Sequence, residues 1–155
     1  MSEAKLAPNM PKWMVDHVDK YLSSGGKEGH MYTISLPNLP PREVPSLLLI
    51  TTGRKSGQKF LFPLFYGKTG DSYYIVASKG GAPTNPDWYV NMTEAGTATV
   101  EVGTETYAVT VTELTGEERD RVYAEQARRY PGFAEYEQQT AGIRTIPVLA
   151  LTRQA

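Results

Sequence analysis

Two short segments hold the residues best suited to chemistry. Thr51–Gly57, TTGRKSG, sets the adjacent cations Arg54 and Lys55 beside Ser56 in a turn bounded by glycines. Ala77–Pro86, ASKGGAPTNP, places Ser78 and Lys79 just before Gly80 and Gly81. Glycine lets a backbone approach an anion closely, and N–H groups at a turn or helix start point toward one. Arg54 offers a planar fork to phosphate or carboxylate, whereas Lys55 and Lys79 act as point charges. Either segment alone reads as a solvated basic loop, and the pair together reads as an anion site. Neither is a nucleotide fingerprint, because the chain has no G-x-x-x-x-G-K-[ST] and no G-x-G-x-x-G after a strand.

Aromatic residues form a second constellation. Phe60, Phe62, Phe65, Tyr66, Trp88 and Tyr89 flank the basic segments, and Tyr130, Phe133 and Tyr136 follow at i, i+3, i+6 spacing. Most such rings belong to a core, but three on one helical face can wall a pocket for a flat conjugated ligand. Other chemistries find no support. His17 and His30 are the only histidines, neither lies in a metal-ligand motif, and both read as surface or packing residues. There is no cysteine and no G-x-S-x-G, so no thiol nucleophile, thiolate metal site or serine elbow is expected.

The elements that must position these residues can be read from their patterns. A chain of 155 residues fits one domain and buries about two thirds of its unfolded surface. Net charge is −1, which gives no field for nucleic acid. No apolar stretch reaches signal-peptide or bilayer length, so a cytoplasmic protein is expected. Met10–Leu22 places Met10, Trp13, Met14, Val18, Tyr21 and Leu22 on one stripe of an amphipathic helix. That helix is expected to cover the main body or gate its pocket, with peripheral contact to a membrane as the secondary role. Pro37, Pro40, Pro41 and Pro45 mark a connector, dividing an arm of residues 1–45 from a body of residues 46–155. Strands are expected over Ser46–Thr52, Lys59–Tyr66 (with Pro63 at an edge or bulge), Ser72–Ser78, Thr97–Val102, Thr106–Thr112 and Thr145–Leu151. Helices are expected from Asn85-Pro86 to Glu94, from a Thr115/Glu118 capping box to Arg129, and from Pro131 to Thr140. Short, locally connected strands predict an α+β, mainly β fold: a split antiparallel β-barrel with surrounding helices.

Four stretches, LLLITTGRKSGQKFLFPLFY, YYIVASKGGAPTNPDWYVNM, RRYPGFAEYEQ and RTIPVLAL, occur in this order between Leu47 and Leu151. Together they resemble the deazaflavin-dependent nitroreductase family, F420H2-dependent oxidoreductases that include actinobacterial quinone reductases. The resemblance implies a split barrel of the FMN-binding type that holds coenzyme F420, with FMN as the alternative cofactor. It implies that Arg54, Lys55 and Ser56, with Lys59 beside them, meet the anionic tail or phosphate. Phe60, Leu61, Phe62, Pro63, Leu64 and Phe65, and Val76, Ala77, Ser78 and Lys79, would flank the deazaflavin and its ribityl chain. Asp87, Trp88, Tyr89, Val90 and Asn91 would complete the tail side. Tyr130, Phe133 and Tyr136 would wall the pocket of a small planar hydrophobic acceptor (a quinone, enone or nitro compound). Ser78, Tyr130 and Tyr136 are then the catalytic candidates, with a proton drawn from Ser78, Tyr130 or solvent. Some relatives carry arginine at Phe60 and tyrosine at Phe65 and Phe133. The apolar wall left by Phe133 favours quinones or enones over nitroimidazoles. The rival from another class is a non-catalytic carrier of F420 or of a lipid.

Overall fold

The computed structural model describes residues 5–6, 10, 12–34, 42–70, 72–78, 84–130 and 132–154. Its elements run β1 (Lys5–Leu6), α1 (Lys12–Ser23), β2 (Met31–Ile34), β3 (Arg42–Thr52), β4 (Lys59–Phe65), β5 (Gly67–Thr69), β6 (Ser72–Val76), α2 (Asp87–Ala95), β7 (Thr97–Val102), β8 (Glu105–Glu113), α3 (Gly116–Arg129), α4 (Gly132–Thr140) and β9 (Val148–Arg153). The strands lie in the order β1-β4-β3-β7-β8-β9-β6-β5, with β2 beside β3. Among the described residues every pairing is antiparallel except β1 with β4. Only Tyr66 separates β4 from β5, although the two lie near opposite ends of that order. The sheet must therefore curl until its ends approach, which makes an open half-barrel, of the split-barrel type expected from the sequence.

The run Leu47-Leu48-Leu49-Ile50 has no polar alternation because both faces of β3 are covered. Leu47 and Leu49 point into the barrel with Ile75, Val100, Leu149 and Leu151. Leu48 and Ile50 point the other way and pack with Leu61 of β4 under Val18 and Tyr21 of α1. Strand β9 divides its residues likewise, sending Val148 and Ala150 to Val122 and Tyr123 of α3. A fully buried side chain of this size is worth about 1.5–3 kcal/mol, enough to seat α1 without charge pairs. The Tyr21 hydroxyl adds direction: it lies 3.1 Å from the Ser46 carbonyl and 3.2 Å from that of Glu101, and accepts from the Gly103 N–H at 2.7 Å. Burial pushes this phenol up to about 12, so it stays neutral in that role.

Several expectations shift. Strand β3 begins at Arg42 because residues 42–45 pair with β2 across the place where the connector was to end. Strands β1, β2 and β5 are too short to show a period in sequence. Pro63 fits its edge role, since β1 accompanies β4 only at Phe60 and Leu61. Thr115 does stand at the N-cap of α3 but makes no side-chain capping bond, because Gly116 follows it at φ 63 and turns the chain away. Pro131, Pro37, Pro40 and Pro41 lie outside the described residues. No helix of the described residues is long and apolar enough to cross a membrane.

Candidate active site

A cavity of about 830 Å³ opens between α1, β3, β4, the end of β6, α2 and α4. One end is cationic. In the turn after β3 the Gly53 N–H donates to the Gln58 carbonyl at 2.7 Å, and the Gly57 N–H to that of Gly53 at 2.9 Å. A Cβ at Gly53 would lie 2.8 Å from Ser56 Oγ and 3.1 Å from the Phe60 ring, so a larger residue would have to shift side chains that line the cavity. The turn aims Arg54, Lys55 and Ser56 at the cavity. Asn91 on α2 fixes the arginine: its Oδ1 accepts from Arg54 Nη1 at 2.8 Å and from the Arg54 N–H at 3.2 Å. Glu94 lies 3.7 Å from Arg54 Nε, an exposed partner that an anionic ligand can displace. Lys55 makes no ion pair among the described residues.

The walls are aromatic. Phe60, Phe62, Pro63, Leu64 and Phe65 of β4 line the cavity, with Val76 and Ser78 opposite and Asp87 and Trp88 at the start of α2. Phe133 and Tyr136 of α4 close the far end. Behind Ser78, Arg144 donates to the carbonyls of Ala77 at 3.2 Å and Ser78 at 2.8 Å, and to Asn85 Oδ1 at 2.8 Å. It thereby anchors both ends of the loop between β6 and α2.

The remaining sequence candidates lie elsewhere. Leu61 is buried under α1, and Ala77 sits in the barrel core. Lys59 points from β4 to a separate cavity of about 300 Å³ lined by Thr52, Ala95 and Thr99, so it does not stand in for an arginine at Phe60. Tyr89 and Val90 of α2 are not among the residues that line the cavity. The Tyr89 hydroxyl donates to Glu113 at 2.6 Å, and burial together with that carboxylate raises it to about 12. Tyr130 stands one layer back: its ring stacks on Phe65 at 5.2 Å and its hydroxyl donates to the Tyr66 carbonyl at 2.9 Å. Lys79, Gly80 and Gly81 are outside the described residues.

Sequence reading missed Trp13, Met14, His17, Ser46, Thr51, Gly53 and Pro86 among the lining residues, and Arg144 behind them. Trp13 and Met14 stand on the apolar stripe of α1, and Thr51, Gly53 and Pro86 lie in the two segments rich in glycine and cations, whereas His17, Ser46 and Arg144 gave no local signal. The arrangement offers an anion-binding end and a flat aromatic end in one continuous space. Among the described residues no cluster of histidine and carboxylates can hold a metal.

Known proteins resemble this chain in sequence and fold. The family profile described as F420H(2)-dependent quinone reductase matches residues 13–153, from inside α1 to the end of β9. The chain is 34% identical to an F420H(2)-dependent quinone reductase of Mycobacterium tuberculosis over 161 residues, covering 94% of this chain and 99% of that protein. Among solved structures it is similar to an F420-H2 dependent reductase at 40% identity and TM-score 0.62, covering 69% of this chain and 93% of the other. A second, described as a domain-swapped dimer, is 34% identical with TM-score 0.64 and covers 90% and 96%.

Proposed function

The chain belongs to the F420H(2)-dependent quinone reductase family, and we propose that its large cavity holds F420H2 and the acceptor together during reduction. The protein is an F420-dependent oxidoreductase. The observation that carries the site assignment is the continuity of one cavity from Arg54, Lys55 and Ser56 to Phe65, Phe133 and Tyr136. The residues present fit the cofactor: cations and a hydroxyl suit its phosphate and oligoglutamate tail, and the aromatic walls suit its flat ring. An FMN phosphate would need fewer cations than this end provides. When bound, the reduced deazaflavin supplies a hydride.

Arg54, pre-aimed by Asn91, grips the tail, and Lys55 adds charge in reach of the same anion. Phe62 and Trp88, with ring centroids 6.4 Å apart, brace the ring system from β4 and α2. Ser78, held by Arg144 through its carbonyl, and Tyr136 present hydroxyls toward the acceptor. Tyr130 supports the wall by stacking on Phe65. The apolar face of Phe133 selects a planar quinone or enone, and Trp13, Met14 and His17 of α1 cover part of the opening. In the same reading α1 is a cover over the barrel, while β1 and β2 join its sheet. The protein works in the cytoplasm, and the exposed Trp13, Leu22 and Met31 offer a surface for peripheral contact with a quinone-bearing membrane.

Anaerobic mixing of the protein with F420H2 and a short-chain naphthoquinone tests the proposal. We expect cofactor oxidation that depends on both protein and quinone. Cofactor binding without acceptor-dependent oxidation would instead make the protein a carrier.

A further inference from the structure

His17 projects from α1 into the cavity, is 8% exposed, and belongs to the aromatic end. Its ring meets Tyr32 edge-on at 5.0 Å, and Tyr32 lies 5.6 Å from Phe65. Its Nε2 is 3.0 Å from Ser46 Oγ. That hydroxyl also lies 2.9 Å from the Gly29 carbonyl and 3.2 Å from the His30 carbonyl. Carbonyl oxygens only accept, so the single Ser46 proton must go to one of them; otherwise three oxygens would crowd together with no hydrogen between them. Ser46 Oγ therefore accepts from His17, and the neutral imidazole carries its hydrogen on Nε2. Nδ1 is left bare, and it makes no hydrogen bond among the described residues.

We propose that His17 is a catalytic residue of this site, and that its Nδ1 carries the proton taken up by the acceptor's oxygen during reduction. The proposal rests on reading the cavity as the site of F420H2 and a quinone-class acceptor. Converting a quinone to its hydroquinone takes two electrons and two protons. Both electrons and one proton arrive as the hydride. The second proton leaves Nδ1, so an N–H bond breaks and an O–H bond forms on the acceptor. His17 is then neutral with its hydrogen on Nε2, the form that Ser46 holds, and water returns a proton to Nδ1.

The titratable groups facing the ring are Lys20 and Tyr21 from its own helix and Tyr32 from β2, while β3 contributes the Ser46 hydroxyl. Arg54, Lys55 and Asp87 share the cavity, and no carboxylate pairs with His17 among the described residues. Burial, and secondarily Lys20, holds the imidazole below its ordinary 6.5. The protonated form is thus the minority at neutral pH and releases its proton readily. Turnover should fall as pH rises through that lowered value.

Two measurements decide the matter. Long-range ¹H–¹⁵N spectra of the unmodified protein should show His17 with its hydrogen on Nε2, and Ser46→Ala should lose that preference. His17→Gln should bind F420 as the unmodified protein does, while kcat falls about 100-fold, the low end for a positioned acid, and loses its pH dependence. A hydrogen found on Nδ1 would overturn the proposal. So would a His17→Gln protein that keeps the original kcat and pH profile. If the unmodified protein shows no quinone-dependent oxidation of F420H2, the reading beneath it fails, and this inference fails with it. A His17→Gln protein that does not fold leaves the decision to the spectra and to the pH profile of the unmodified protein.

Discussion

Gly26→Ala is expected to lower stability by about 2–5 kcal/mol, a large part of the 5–15 kcal/mol that holds a domain together. Gly26 follows the end of α1 at φ 87, and its N–H donates to the Tyr21 carbonyl at 2.9 Å. A Cβ there would fall 1.6 Å from the Gly103 carbonyl oxygen, in the turn between β7 and β8. The left-handed backbone costs an alanine about 1–2 kcal/mol, and forcing two backbones apart adds roughly 1–3 kcal/mol or more. The melting temperature should fall by roughly 4–20 °C. Gly25 is the control, because it too has a positive φ of 65 but nothing lies within 4 Å of its Cβ position. Gly25→Ala should cost only the backbone part. A Gly26→Ala protein that melts no lower than Gly25→Ala would show that α1 does not press on that turn. Since α1 carries Trp13, Met14 and His17, the damaged variant should also lose cofactor and acceptor binding.

The largest effect on the site itself is expected from Arg54. Removing it in Arg54→Ala should weaken F420 binding about 10- to 100-fold, the equivalent of one charge-assisted hydrogen bond of about 1.5–3 kcal/mol. Arg54→Lys keeps the charge and loses the fork, so it should recover part of that affinity. Binding by the unmodified protein should weaken as salt rises, and the slope should flatten in Arg54→Ala. Binding of F420 by Arg54→Ala with unaltered affinity and salt dependence would remove the cationic turn from the site.

Much of this was legible in the residues, for reasons that differ by element. The strands that bury two faces announce themselves as apolar runs, as Leu47–Ile50 does, and the hairpin of β7 and β8 alternates cleanly. The turn that presents Arg54, Lys55 and Ser56 could be read as a glycine-bounded pair of cations because that spacing is local. What depends on contacts distant in sequence could not. His17 reads as a packing residue until Ser46, 29 residues away, is seen to fix its tautomer. Tyr130 shares a helical spacing with Phe133 and Tyr136 only on paper. It sits at the C-cap of α3 with φ −127, so the helix phase breaks there and its ring turns behind the wall. Lys59 and Phe60 are neighbours in sequence, but strand alternation sends them to different cavities.

The central claim is that this cavity holds F420 by its tail and ring together. Both tryptophans of the chain, Trp13 and Trp88, line the cavity, so intrinsic fluorescence reports directly on its occupancy. Titration with F420 should quench that fluorescence saturably and tightly, while FMN at the same concentrations should bind far more weakly. Tight binding of FMN alone, or of neither compound, would contradict the account.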